Sequence, residues 1–264
     1  MIKINMKLLA DHLIGTDTHM NIALILSGGT GTRAGTDIPK QYVEVCGKPV
    51  ISYCIETLST HSAIDALLIA AAPDWQDFID NWLKSPDCKK KFKGFSLPGE
   101  NRQLSIYRGL EAIRTFAGDN DYVLIHDAAR PLLSKAQIAA CLNGARGHDG
   151  AMPVLPMKDT VYYSHDGKTV GKLLDRSSIY AGQAPEVFLL GRYYEANRRL
   201  LPEQIFKING STEPGIMSGM DIAMIPGDEG NFKITTRADL ENFRKIIFLE
   251  KGLDHESMGF TSGQ

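Results

Sequence analysis

Short apolar runs and helix-spaced segments take turns along the middle of this chain. Residues 22–26, 66–71, 95–97, 122–125 and 151–155 are apolar runs of strand length. Between them, residues 50–58, 75–83, 103–113 and 135–142 place apolar side chains at helical spacing. Strands alternating with helices predict an α/β fold, with a mostly parallel sheet covered by helices on both faces. Sheets of that kind bind ligands beyond the carboxyl ends of their strands. Candidate chemistry is therefore sought there.

The rhythm breaks after residue 156. Residues 160–163 and 169–174 flank Ser164-His165-Asp166-Gly167-Lys168, whose Asp-Gly pair is a hairpin signal. This predicts a β-arm, about residues 158–180, projecting from the sheet. A helix over 190–200, a loop over 202–215, a strand over 221–225 and a helix over 237–248 complete the pattern. The reading is one domain over 20–251, an N-terminal extension over 1–19 and a flexible tail over 252–264.

Composition narrows the function classes. The 264 residues are 43% hydrophobic and 23% charged, as in an ordinary globular domain. With 29 basic against 31 acidic residues, no global basic field exists to attract nucleic acid. The longest apolar run, 66–72, falls far short of the ~20 residues a membrane-spanning helix needs. No secretory signal is read in the first 20 residues. Cys46, Cys54, Cys88 and Cys141 form no C-x-x-C pair, so they are expected to be thiols of a reducing compartment, the cytoplasm.

Local chemistry begins where the first strand ends, in Ser27-Gly28-Gly29-Thr30-Gly31-Thr32-Arg33-Ala34-Gly35, followed by Pro39-Lys40-Gln41. Three glycines in four positions let backbone N–H groups approach anionic oxygens. Arg33 and Lys40 add two fixed cations, suited to charge developing on a triphosphate. Residues 29–34 also formally fit G-x-G-x-x-A, the dinucleotide fingerprint of NAD(P) oxidoreductases. The acidic residue expected about 20 positions on is missing, because Ala70-Ala71-Ala72-Pro73 closes the second strand instead. A P-loop also fails, since Pro49 follows Gly47-Lys48.

The glycine loop with Pro39-Lys40-Gln41-Tyr42 resembles the signature of the sugar-nucleotidyltransferase superfamily. More narrowly, the chain resembles the cytidylyltransferases acting on methylerythritol 4-phosphate and on ribitol 5-phosphate. Four further motifs match in order: Gly99-Glu100-Asn101-Arg102-x-x-Ser105, residues 126–131 (His-Asp-Ala-Ala-Arg-Pro), Asp175-Arg176 through Gln183-x-Pro185, and Asn231-Phe232-Lys233-Ile234-Thr235-Thr236. The resemblance implies a Rossmann-like fold and transfer of CMP from CTP to a polyol phosphate, with release of pyrophosphate. It implies catalytic roles for Arg33, Lys40 and Lys233. Nucleotide contacts are implied for Ser27, Gly28, Gly29, Gly31, Gly99, Glu100, Ser105 and Asp127, and acceptor contacts for Asp127, Arg130, Thr160 and Arg176.

Asp127, ending a strand opposite a phosphate loop, is also the candidate Mg²⁺ ligand. Capping the next helix or pairing with Arg130 are its alternatives. His126 reads as structural rather than as a base, because a substrate phosphate is already an anionic nucleophile. Lys233 is an isolated cation in an apolar, strand-like segment, where it must snorkel, pair or face a ligand. By resemblance the arm crosses a two-fold axis, implying a homodimer in which Thr160 and Arg176 serve the neighbouring subunit's site.

The chain also departs from the methylerythritol branch. Ala184-Pro185-Glu186 stands where Thr-Pro-Gln is usual, and Thr212-Glu213 where Thr-Asp is usual. Residues 180–183 and the turn 73–75 look more like the ribitol-phosphate branch, whereas 126–130 look more like the methylerythritol branch. The expected acceptor is an alditol phosphate, with methylerythritol 4-phosphate as the alternative. A non-catalytic nucleotide sensor is the alternative of another class, and the full set of charges argues against it.

Overall fold

The computed structural model describes residues 19–29 and 36–252. Eight strands form one mixed sheet. Its parallel half contains β1 (Asn21–Leu26), β4 (Ala66–Ala70), β5 (Phe92–Ser96) and β6 (Tyr122–Asp127), in the spatial order β6-β1-β4-β5. Two short strands, β2 (Glu44–Val45) and β3 (Lys48–Pro49), make a separate hairpin before the first helix. The other half contains β7 (Gly150–Pro156), β10 (Tyr180–Gly182), β11 (Glu186–Leu189) and β12 (Ile222–Pro226). β11 is antiparallel to both β6 and β7, and β12 runs parallel to β7. The sheet is thus parallel at its centre and mixed toward one edge.

Strand alternation sorts side chains to the two faces. Ile22 and Leu24 of β1 pack with Ile106, Leu110 and Ile113 of α4 (Arg102–Ile113) and with Tyr193 of α6 (Leu190–Arg198). Ala23 and Ile25 face the other way, onto Ile51, Cys54, Ile55 and Leu58 of α1 (Val50–Ser59). That second face also takes α2 (Pro73–Asp80), α3 (Pro86–Lys91) and α5 (Lys135–Gly144). Both faces are apolar and covered, so the central strands read as continuous hydrophobic runs. A third cluster seats α8 (Arg237–Glu250), through Leu240, Phe243 and Ile247, on Val45, Val50 and Ile234.

The elements fall close to their predicted places, with instructive shifts. The helix predicted over 75–83 begins at Pro73, since proline is tolerated in a first helical turn. The strand predicted over 95–97 starts earlier, at Phe92. The predicted loop 202–215 ends in a short helix, α7 (Glu213–Met217). The segment 231–235, read as strand-like, is extended but belongs to no strand; it is held by the Ile234 N–H donating to the Ala129 carbonyl at 2.8 Å. The arm is present as β8 (Val161–Tyr163) paired antiparallel with β9 (Lys172–Leu174). No helix among the described residues is long and apolar enough to cross a membrane. The extension, apart from His19, and the tail, apart from Gly252, lie outside the described residues.

Candidate active site

From β1 the chain steps outward to β4 and β5, then returns to lay β6 on the opposite side of β1. The winding reverses there, which makes the carboxyl ends of β1 and β6 the topological switch point. Leu26 and Asp127 are register partners at that spot. A cavity of about 510 Å³ opens over them, lined by Gly28, Gly29, Lys40, Gly99, Asp127 and Lys233 among others. That volume lies in the range of small-molecule sites.

The mouth of the glycine loop is braced from below. The Gln41 side-chain amide donates to the carbonyls of Ser27 (2.8 Å) and Gly29 (2.7 Å). The Tyr42 hydroxyl donates to the same Ser27 carbonyl at 2.9 Å, and its ring stacks on Trp75. In a trans peptide the C=O and N–H point oppositely, so pulling the Ser27 carbonyl toward Gln41 turns the Gly28 N–H away from it. The glycines differ in purpose. A Cβ on Gly28 would lie 2.3 Å from the Pro98 Cβ, whereas one on Gly29 would meet nothing within 4 Å. Gly28 therefore serves loop-to-loop packing, and Gly29 is the open position. Gly31 and Arg33 lie outside the described residues.

Asp127 is the electrostatic centre. It is buried, and its two oxygens face three cations. Arg102 Nε donates to Oδ1 at 3.1 Å, Lys233 Nζ donates to Oδ2 at 3.0 Å, and Arg130 Nε lies 3.6 Å from Oδ2. Burial alone would raise its pKa, but the neighbouring Arg102 and Lys233 charges outweigh that and hold the carboxyl well below the usual range. Lys40, at the start of a 3₁₀ turn, lines the same cavity. Arg102, Arg130 and Lys233 thus surround Asp127 in a cavity that Lys40 also lines, a setting suited to a polyanion.

On the other side of the cavity, Asn101 caps α4 by accepting the Leu104 N–H at 2.7 Å. The Ser105 hydroxyl donates to the Asn101 carbonyl at 2.8 Å and accepts the Gly99 N–H at 2.9 Å. Its single proton is committed, so toward a ligand it can only accept. Glu100 is exposed on the rim.

Not every expected residue converges. Thr160 and Arg176 are exposed on the arm, away from the cavity lining; Arg176 donates to the Lys158 carbonyl at 2.7 Å. Arg130 lies against Asp127 and donates to the Asn231 carbonyl at 2.7 Å. His126 is fully buried, and because a carbonyl can only accept, its Nε2 carries the proton donated to Arg130 O at 3.0 Å. Burial pushes its pKa down to about 4, so the ring is neutral at pH 7. The folded pKa lies below the ordinary 6.5, so the unfolded chain binds the proton more readily between those values. Stability is therefore expected to fall as pH drops from about 6.5 toward 4, by up to roughly 3 kcal/mol from this residue. Urea midpoints across that range should show the slope in the wild type and a shallower one in His126→Asn.

Sequence reasoning missed Gln41, Arg102 and Glu186. A signal for Arg102 was available: it is the first residue of α4, where a cation opposes the helix dipole and needs a carboxylate partner.

The donor set bears on the expected magnesium. Among the described residues, no group of three or more His, Cys, Asp or Glu could hold a metal ion. Asp127 is one carboxylate already facing cations. Ions of this kind commonly take one or two carboxylates plus phosphate oxygens, so Asp127 is the residue that would hold an Mg²⁺ carried on nucleotide phosphates.

A doubly wound sheet with a braced glycine loop and a cation-rich switch point defines a nucleotide-handling α/β protein. Residues 21–248 match the family model described as IspD: 2-C-methyl-D-erythritol 4-phosphate cytidylyltransferase, and the chain belongs to that family of cytidylyltransferases. A ribitol-5-phosphate cytidylyltransferase of Streptococcus agalactiae is 33% identical over 229 residues, covering 86% of this chain and 95% of that one. A 2-C-methyl-D-erythritol 4-phosphate cytidylyltransferase of Thermotoga neapolitana is 32% identical over 230 residues, covering 86% and 96%. The crystal structure of 4-diphosphocytidyl-2C-methyl-D-erythritol synthase from Anaerococcus prevotii shares the fold, with a TM-score of 0.75 at 24% identity over 88% of this chain and 99% of that one.

Proposed function

We propose that this chain transfers CMP from CTP to an alditol phosphate of the ribitol 5-phosphate kind. The observation that carries the reading is the pairing of Lys233 and Arg102 with the buried Asp127 at the switch point, in a cavity that Lys40 also lines. The triphosphate lies over the loop 27–40. The Ser105 oxygen, able only to accept, favours the amino group of cytosine over the carbonyl that uracil presents there. An oxygen of the acceptor's phosphate forms a bond to the α-phosphorus as the bond to the β-phosphate oxygen breaks. Pyrophosphate leaves, and no proton has to move.

Lys40 and Lys233, with Arg33 from the same loop, stabilise charge on the transferring and leaving phosphates. Catalysis is positioning plus electrostatics. Magnesium, when bound with the nucleotide, supplies further charge neutralisation beside Asp127. The alditol acceptor is supported by the Streptococcus relative.

The arm belongs to this proposal. Tyr162, Val170 and Leu173 are exposed on it, at 56%, 72% and 60%. A two-strand hairpin is poorly stable alone and gains from burial against a second copy. In that homodimer, Thr160 and Arg176 bind the acceptor phosphate of the partner's site.

Pyrophosphate release should be measured with CTP and either ribitol 5-phosphate or methylerythritol 4-phosphate, with UTP in place of CTP as a control. Fastest turnover is expected with CTP and ribitol 5-phosphate. Preference for methylerythritol 4-phosphate would overturn the acceptor assignment, and no release with any polyol phosphate would overturn the activity.

A further inference from the structure

Glu186 is an acid with no place in the mechanism above. It opens β11 in register with Ile125, two residues before Asp127, and is 7% exposed. The Ser211 and Thr212 hydroxyls both donate to it, the latter at 3.2 Å. Arg102 pairs with it, Nη2 lying 3.7 Å from Oε2, and the charges of Arg130 and Asp127 also reach it. The same guanidinium donates from the adjacent Nε to Asp127 Oδ1.

We propose that Glu186 is a positioning residue. It holds Arg102 between two carboxylates, so that the guanidinium lies across the floor of the cavity instead of closing onto Asp127. A guanidinium is planar and carries five N–H donors in a fixed fork. Anchoring it at Nε and near Nη2 fixes the plane and leaves donors for an anionic ligand. Without the Glu186 charge, Asp127 becomes its one carboxylate partner, and the pair closes toward bidentate geometry. Arg102 is then drawn back from the phosphates, and it competes with Lys233 for Asp127 Oδ2. This anchoring gives Arg102 a role that its place in the motif does not disclose.

The inference rests on CTP being the ligand, so the readout is CTP binding by calorimetry, which needs no acceptor. Glu186→Gln keeps the shape and removes the charge: one hydroxyl still donates to the amide oxygen and the other turns to accept from the amide N–H; CTP is expected to bind about tenfold more weakly. Glu186→Asp, which keeps the charge, should stay within about threefold of wild type. In an Arg102→Ala background, Glu186→Gln should weaken binding no further. Equal weakening in both backgrounds, unchanged binding in Glu186→Gln, or Glu186→Asp as weak as Glu186→Gln would each overturn the proposal. A wild-type chain that binds no CTP would sink the cytidylyltransferase reading itself, and this proposal with it.

Discussion

Lys40→Ala is expected to lower kcat by about 10²–10³, with KM for CTP changing far less. The side chain lines the cavity beside Gly28 and Gly29, on the loop that leads from β1. A fixed cation at that place matters most when negative charge builds up on phosphate oxygens, so its loss is felt in the transition state more than in the bound substrate. Lys40 lies outside the apolar clusters, so the variant should melt within a few degrees of wild type. Steady-state pyrophosphate release with a thermal melt checks both halves. Near-normal kcat would remove Lys40 from the mechanism.

Asp127→Asn should damage stability as well as activity. It leaves Arg102, Arg130 and Lys233 facing one another across a neutral amide. Removing one partner of a buried ion pair leaves charge uncompensated, at a cost of roughly 3 kcal/mol. In a domain of this size that corresponds to a fall in Tm of about 10 °C. The remedy is part of the prediction: CTP or pyrophosphate brings the missing negative charge, so either should raise the variant's Tm more than it raises the wild type's. Because the Asp127 pKa is depressed on folding, its contribution is present above the ordinary carboxylate range and is lost as pH falls below it. A variant that melts like wild type, or that nucleotide does not rescue, would contradict the three-cation account.

Much of this site was legible before the fold was known. The apolar runs of β1 and β6 are buried on both faces, so they stand out without any knowledge of their neighbours. Asp127, the glycine loop and Lys40 lie directly at or after those runs, where a parallel sheet presents its ligand face. Lys233 was legible as a cation needing an explanation, but its partner lies 106 residues away and spacing cannot name it. Glu186 was hidden for a related reason. Its strand, Glu186–Leu189, is four residues long and runs straight into a helix, so no turn signal separates the two. A buried acid in such a segment acquires meaning when Arg102 and the Ser211-Thr212 pair arrive from two other places. Gln41 belongs to a motif legible in the sequence, but its grip on two loop carbonyls is a matter of tertiary geometry. The arm's turn was legible from Asp166-Gly167, while its strands are shorter than the apolar runs suggested, because no sheet extends them.

Where Gly28 meets Pro98, a lone hydrogen atom is all that separates the turn proposed to grip phosphates from the turn proposed to face the base. The two ends of the nucleotide seat therefore form a gauge of fixed span. A methyl group wedged into that seam would lengthen the gauge, and a nucleoside triphosphate, whose own reach is set by its covalent bonds, could then engage one end at a time.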